Sequence, residues 1–311
     1  MSGNLYNVSV SPHIKSKETV PTVMRDVLIA LLPATVAGIY FFGVDAALVI
    51  ITAIVSAMLS EYLFNKITKR PNSLKDLSAV ITGLLLAFNL PPTLPLWMVA
   101  VGSAFAIIVV KCFFGGLGQN IINPALAGRA FLLAAYPSQM TEWTLNGISK
   151  ATPLAILRNG GGLLPDTMDV FLGANVAGCI GEVSALALLI GGAYLLYRKV
   201  ITWHIPATYI ATVFVITTVL GRDGFMQGNG IYEIFIGGLM LGAIFMATDY
   251  TTSPMTKTGQ VIFGVGCGLL TSLIRLYGGY AEGVSYSILI MNLLVPMIDK
   301  WTSPRVFGGA K

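Results

Sequence analysis

Residues 136–173 read YPSQMTEWTLNGISKATPLAILRNGGGLLPDTMDVFLG, and they break an otherwise apolar chain. Polar residues, Gly and Pro run through this stretch, while long apolar runs flank it on both sides. A loop of this length without an obvious element of its own is functional or disordered. Trp143, Leu145, Ile148, Leu154, Ile156 and Leu157 argue against disorder, because a disordered segment lacks the apolar residues to bury.

The flanks set the class. The chain is 55% hydrophobic and only 11% charged, against about 25% charged in a soluble protein. This is the composition of a polytopic membrane protein. The net charge of +5 is not a nucleic-acid signature, because the basic residues gather at the ends of apolar runs, as membrane anchors do. No cleavable signal pattern follows the first apolar run. Cys112, Cys179 and Cys267 are isolated thiols with no C-x-x-C spacing, and they read as small residues packed in helices.

Runs near ~20 apolar residues match the hydrocarbon core. Before the long loop they fall at 23–42, 46–64, 77–90 and 96–110, with a tight turn at Gly43-Val44-Asp45. A fifth segment, 124–135, spans only about 18 Å as a helix, short for a core of roughly 30 Å. Gly115, Gly116, Gly118, Asn120 and Asn123 precede it, so it reads as a broken or re-entrant helix lining a cavity. After the loop come runs at 176–197, 205–220, 231–247, 261–277 and 285–298, with a second polar interruption, Thr248-Asp249-Tyr250-Thr251-Thr252-Ser253-Pro254.

The expected fold is therefore an all-α membrane protein of about ten segments, five on each side of the loop. Lys111-Cys112-Phe113-Phe114-Gly115-Gly116 is echoed by Arg275-Leu276-Tyr277-Gly278-Gly279. Five segments per half is odd, so the second half would be an inverted repeat of the first, with a site between the halves. The divisions are 1–22, a cytoplasmic segment; 23–136, the first membrane repeat; 137–175, the extracytoplasmic loop; 176–300, the second repeat; and 301–311, a cytoplasmic tail. Lys66, Lys69, Arg70, Lys75, Arg198 and Lys199 share one side, which the positive-inside rule makes cytoplasmic. Lys150, Arg158, Arg222 and Arg275 fall on the other side, with the long loop.

Two histidines, His13 and His204, leave no Ser-His-Asp arrangement, and there is neither a phosphate-binding loop nor a dinucleotide fingerprint. No metal-ligand cluster stands out in the sequence. Asn120, Asn123, Asp249 and Thr252 lie in the two interruptions and have two readings: helix caps, or the lining of a polar site at membrane depth. Arg129, inside the short fifth segment, requires a partner or an anion. Glu61, Asp76 and Glu282, near segment ends, read as solvated.

These residues carry a resemblance. Ser11-Pro12-His13, Gly115-Gly116-Leu117-Gly118 with Asn123-Pro124-Ala125, Ser149-Lys150-Ala151-Thr152-Pro153-Leu154, and Met246-Ala247-Thr248-Asp249 with Thr252-Ser253-Pro254 occur in this order within the ten runs. The chain resembles the D subunit of Rnf-type ion-translocating ferredoxin:NAD+ oxidoreductases, and is similar to the related B subunit of sodium-pumping NADH:quinone oxidoreductases. The resemblance implies FMN joined to Thr152 by a phosphoester, with Ser149 aiding recognition by a flavin transferase. The family's pattern around the attachment point is Asp-Gly-x-Ser-Gly-Ala-Thr; here Asn146 replaces the Asp and Lys150 the second Gly. The resemblance also implies a second, noncovalent flavin, riboflavin, lined by Asn120, Asn123, Asp249 and Thr252. It implies the inner membrane of a bacterium or archaeon, cytoplasmic termini, partner subunits that bind the soluble substrates, and electron relay coupled to Na+ or H+ movement. Without the resemblance, the inverted repeat fits a channel or transporter for a small polar solute equally well.

Overall fold

An apolar chain in lipid must satisfy its backbone internally, and helices do so. The computed structural model describes residues 18–145, 148–159, 163–174, 176–221, 225–226, 228–279 and 282–304, and these are mainly helical.

Helix α1, Val20–Ile67, is broken at Gly43, where φ is 69° and ψ is −146°. Glycine reaches that region without the penalty a Cβ would impose. The chain reverses here. Val23, Met24 and Val27 at the start of α1 line the same cavity as Lys111, whose Nζ lies 2.8 Å from Glu61 near the other end. The runs at 23–42 and 46–64 are thus the two arms of α1. The first arm packs on α8, Ala185–Tyr197, with an Asp26–Arg198 ion pair of 3.0 Å at one end. The second arm packs on α2, Ser78–Phe88, and α3, Leu96–Cys112. Contact with α2 is close: a Cβ on Gly83 would lie 2.8 Å from the Ala53 carbonyl oxygen. From Ala106 to Cys112, α3 widens into a π-helix, a form that recurs at functional sites.

The short fifth segment is α4, Pro124–Ala135. Asn123 caps it, accepting from the Ala125 and Leu126 amides at 3.0 and 3.3 Å, and Pro124 supplies the pre-set φ of a first helical residue. Helices α9, His204–Val219, α12, Lys257–Tyr277, and α13, Val284–Thr302, form a second group with α12 packed on both others. Tyr209, Thr271 and Ser287 join their hydroxyls across it at 2.6–3.2 Å. Such bonds hold helices together where no hydrophobic force separates protein from lipid. By length and composition α1 and α12 can cross a membrane; α2, α3, α4, α8 and α9 are shorter apolar helices.

Three expectations are corrected. The long loop has elements of its own: α5, Pro137–Met140; a hairpin of β1, Thr144–Leu145, and β2, Ile148–Ser149; α6, Pro153–Asn159; and α7, Thr167–Leu172. Asn146-Gly147, between the strands, lie outside the described residues. The run 176–197 is helical only from Ala185. The residues before it run along the end of α2, where the Ile180 and Gly181 amides donate to the Leu90 and Phe88 carbonyls at 3.2 and 2.9 Å, satisfying acceptors a helix end leaves open. The run 231–247 is broken too. It forms α10, Gly230–Phe235, then a gap with Gly237 at φ 66°, then α11, Leu239–Leu241, continuing as a π turn, Gly242–Met246. Arg275 fills that gap: it is 1% exposed and donates to the Glu233 and Ile236 carbonyls at 2.6 and 3.0 Å.

Candidate functional site

Thr152 is the residue before Pro153, and its Oγ1 accepts from the Ala155 amide at 3.2 Å. It is therefore the N-cap of α6. Two residues on, Leu154 is buried in a small apolar cluster with Val170, Val176, Tyr232 and Ile236. That cluster docks the loop on α7 and α10 and fixes where Thr152 sits. Thr152, half-buried, lies in the wall of a cavity of about 410 Å³, within the roughly 300–1,000 Å³ of small-molecule sites. Trp143, Lys150 and Ala151 line it beside Thr152, with Phe235 and Ile236 from the broken eighth run. Ser149 lies in β2, which leads into this wall.

Arg129, Glu182 and Glu282 line the same cavity. Arg129, on α4, forms an ion pair with Glu282. Its Nη1 also donates to Asn89 Oδ1 at 3.2 Å and to Ser285 Oγ at 2.8 Å. The sequence leaves Arg129 in want of a partner, and Glu282 is that partner. Glu282 is accordingly not solvated as expected; its other oxygen accepts from the Gly238 amide at 2.6 Å. The reading of Glu61 is corrected as well: Glu61 and Lys111 are each 2% exposed and paired. A charge stripped of water is tolerated only when paired and hydrogen-bonded. Cys179, Glu182 and Glu282 bring their ligand atoms within 4.8 Å of one another. This grouping is invisible in the sequence because Glu282 lies some hundred positions from the other two. In this arrangement a guanidinium supplies the positive charge beside Glu282.

The four residues from the interruptions gather at the opposite end of α4. Asn120, Asn123 and Asp249 line a cavity of about 100 Å³ together with Lys111. Thr252, 2% exposed, stands behind Asp249 and donates to its carboxylate at 3.3 Å. Asn123 caps α4 and also donates to the Met246 carbonyl at 3.2 Å. The residue that joins the interruptions escapes the sequence reading: Asn292 on α13 accepts from the Asn123 amide at 3.2 Å and donates to the Thr252 carbonyl at 2.8 Å. A lone Asn in an apolar helix is the signal that could have found it. Replacing Asn292 with Leu strands a buried amide and a buried carbonyl, at about 1–3 kcal/mol each. The expected result is a clear fall in the melting temperature of the detergent-solubilised protein. Asn120→Leu removes a bond to the neighbouring Ile122 carbonyl and one to the Asp249 carboxylate, which keeps Thr251 and Thr252 as donors, and should lower it less; equal falls would deny Asn292 its bridging role.

The two cavities are close together. Ala125 lines the one beside Asp249 and Arg129 the one beside Thr152, four residues or about 6 Å apart along α4. Fold and site define an α-helical protein of membrane composition, with two polar spaces at either end of one short helix. The chain belongs to the NQR2, RnfD, RnfE family, which matches residues 7–308. It is 50% identical over 310 residues to the D subunit of the Na+-translocating ferredoxin:NAD+ oxidoreductase complex of Acetobacterium woodii, covering 98% of this chain and 96% of that one. It is 46% identical to the D subunit of the proton-translocating ferredoxin:NAD+ oxidoreductase complex of Clostridium ljungdahlii, over 98% and 97% of the two chains. The D subunit of an ion-translocating oxidoreductase complex from Aliivibrio salmonicida is 35% identical, over 98% and 99%.

Proposed function

We propose that this chain is the membrane flavoprotein subunit of an Rnf-type ferredoxin:NAD+ oxidoreductase complex, carrying FMN on Thr152 through a phosphoester. The observation that carries the reading is the position of Thr152 in the wall of the 410 Å³ cavity. FMN supplies, when bound, the ability to exchange electrons one or two at a time. The rest is the work of this chain's residues. Lys150 flanks the attachment point and favours a phosphoester's negative charge. Trp143 and Phe235 give the cavity aromatic walls, and the Leu154 cluster docks the loop on that side. Flavin potential is set by hydrogen bonds and nearby charge, and Arg129, Glu182 and Glu282 supply both kinds of group.

The noncovalent flavin, riboflavin, belongs to the proposal at the other end of α4, with Asn120, Asn123, Asp249 and Thr252 as its hydrogen-bonding lining. The cavity there is about 100 Å³, below the size of pockets for drug-sized ligands, so binding riboflavin would require it to widen. The Acetobacterium and Clostridium complexes are named for different ions, so the coupling ion does not follow from likeness. Soluble substrates fall to partner subunits, and attachment of the flavin to a transferase.

A denaturing gel of the purified protein, made alongside a flavin transferase and viewed under ultraviolet light, tests the reading. A fluorescent band at 33.0 kDa and an FMN adduct on the Thr152 peptide are expected. An unmodified peptide would return the chain to the rival reading, a solute channel, which has no use for a bound flavin.

The proposal includes topology: about ten crossings in two inverted halves, both termini and the loop at 65–75 inside, and the Thr152 loop outside. The uneven distribution of Lys and Arg supports it. Ser138 in α5 is exposed. A single Cys placed there, in a background lacking Cys112, Cys179 and Cys267, should react with an impermeant thiol reagent in intact cells. Labelling only after lysis would reverse the orientation.

A further inference from the structure

The Thr152 cavity has a charged end and an attachment end. Lys150, Ala151 and Thr152 form one part of its wall, and Arg129, Glu182 and Glu282 another. A ligand tied by its phosphate to Thr152 must extend the remainder of its length into the cavity. We propose that the Arg129–Glu282 pair is a positioning element that sets the reduction potential of the flavin in this cavity. The inference rests on the reading of Thr152 as the attachment point.

Three features of the pair suit it to that role. First, it is fixed. Arg129 Nη1 is held by Asn89 from the end of α2 and by Ser285 from α13. Its Nη2 meets Glu282 and comes within 3.9 Å of Cys179 Sγ. Glu282 is tied in turn to the Gly238 amide. A guanidinium clamped at both terminal nitrogens cannot swing its charge away when charge appears nearby. Second, it is dry. The two side chains are 9% and 15% exposed, and in such surroundings a fixed charge acts with far more force than in water. Third, it faces the cavity rather than lipid, since both residues line it. A pair serving only to join α4 to α13 needs no such opening. The other charged groups are Lys150 at the attachment end, Glu182, whose Oε1 accepts from the Cys179 amide at 2.8 Å, and Arg275, engaged with Glu233. They leave Arg129 and Glu282 as the paired charges that can be altered one at a time within the cavity.

Reduction adds negative charge to a flavin. Arg129 favours the reduced form and Glu282 opposes it, so removing one or the other must move the potential in opposite directions. A role confined to packing predicts no such sign reversal. The experiment is a spectroelectrochemical titration of the covalent flavin in the purified complex. Arg129→Gln should lower the ratio of reduced to oxidised flavin at a fixed ambient potential by about tenfold, which is ~30 mV for a two-electron couple. Glu282→Gln should raise it by a similar factor, and the double variant should return close to wild type. Should Arg129→Gln fail to assemble, Glu282→Gln decides alone, because Arg129 then keeps its bonds to Asn89 and Ser285. Shifts of the same sign, or no shift in a variant whose flavin still fluoresces in the gel, would overturn the proposal. A wild-type band without fluorescence would instead remove the attachment reading beneath it.

Discussion

Thr152→Asn protein should run on a denaturing gel as a dark band, where wild type fluoresces under ultraviolet light. Asparagine is chosen for a structural reason. As a bare loop residue in the sequence, Thr152 would tolerate valine at a cost under about 0.5 kcal/mol. It is instead the cap of α6, and removing a capping oxygen costs about 1 kcal/mol. Valine would confound loss of the ester with loosening of the helix whose Leu154 docks the loop. Asparagine keeps an acceptor for the Ala155 amide and has no hydroxyl to esterify. The variant should assemble with wild-type stability, lose all covalent flavin, and stop electron transfer through the intact complex. Ser149→Ala, one step removed, should keep at least part of its flavin. Fluorescence surviving in the asparagine variant would place the attachment elsewhere.

Lys111→Met should have the largest effect on stability. Lys111 and Glu61 are both 2% exposed, with Nζ 2.8 Å from Oε2. Lys111 also donates to Ser78 Oγ at 2.6 Å, and Glu61 accepts from Ser73 Oγ at 2.5 Å. The network ties the second arm of α1 to α3 and to the start of α2. Methionine fills the space of the lysine stem and leaves the buried Glu61 carboxyl without its partner, a loss of roughly 3–5 kcal/mol. Thermal unfolding in detergent should show it as a midpoint many degrees lower. The double variant Lys111→Met, Glu61→Leu should recover most of the loss, since two apolar residues in place of a buried pair are often neutral. Additive losses in the double variant would mean that the pair is not the coupled unit it looks.

The sequence exposes what is local. Asn123-Pro124 marks the start of α4 because a cap followed by a first-turn proline is written in adjacent residues. Gly43 marks the reversal in α1 because the backbone there needs a residue without a Cβ. The sequence hides whatever depends on a distant partner. The break in the eighth run sits among Ile236, Leu239 and Met240, which read as continuous helix; what stabilises it is Arg275, on α12. Glu61 and Glu282 look like surface acids at segment ends until Lys111 and Arg129 arrive beside them. Apolar composition also cannot separate a helix from a run of turns laid along a helix end, which is why 176–184 reads as part of a span. At the site, a motif locates Thr152, but only folding shows that Arg129 and Thr152 share one cavity.

The brevity of α4 has an electrical consequence. A transmembrane voltage falls mainly across whatever insulating layer separates the aqueous compartments on either side. Hydrated cavities reaching α4 from both faces would reduce that layer from the full hydrocarbon thickness to the single turn between Ala125 and Arg129, about 6 Å. The field across that turn would then be several times the membrane average. A unit charge moved past it would exchange nearly the whole ~2.3 kcal/mol per 100 mV with the membrane, although it travels only a fraction of the membrane's width.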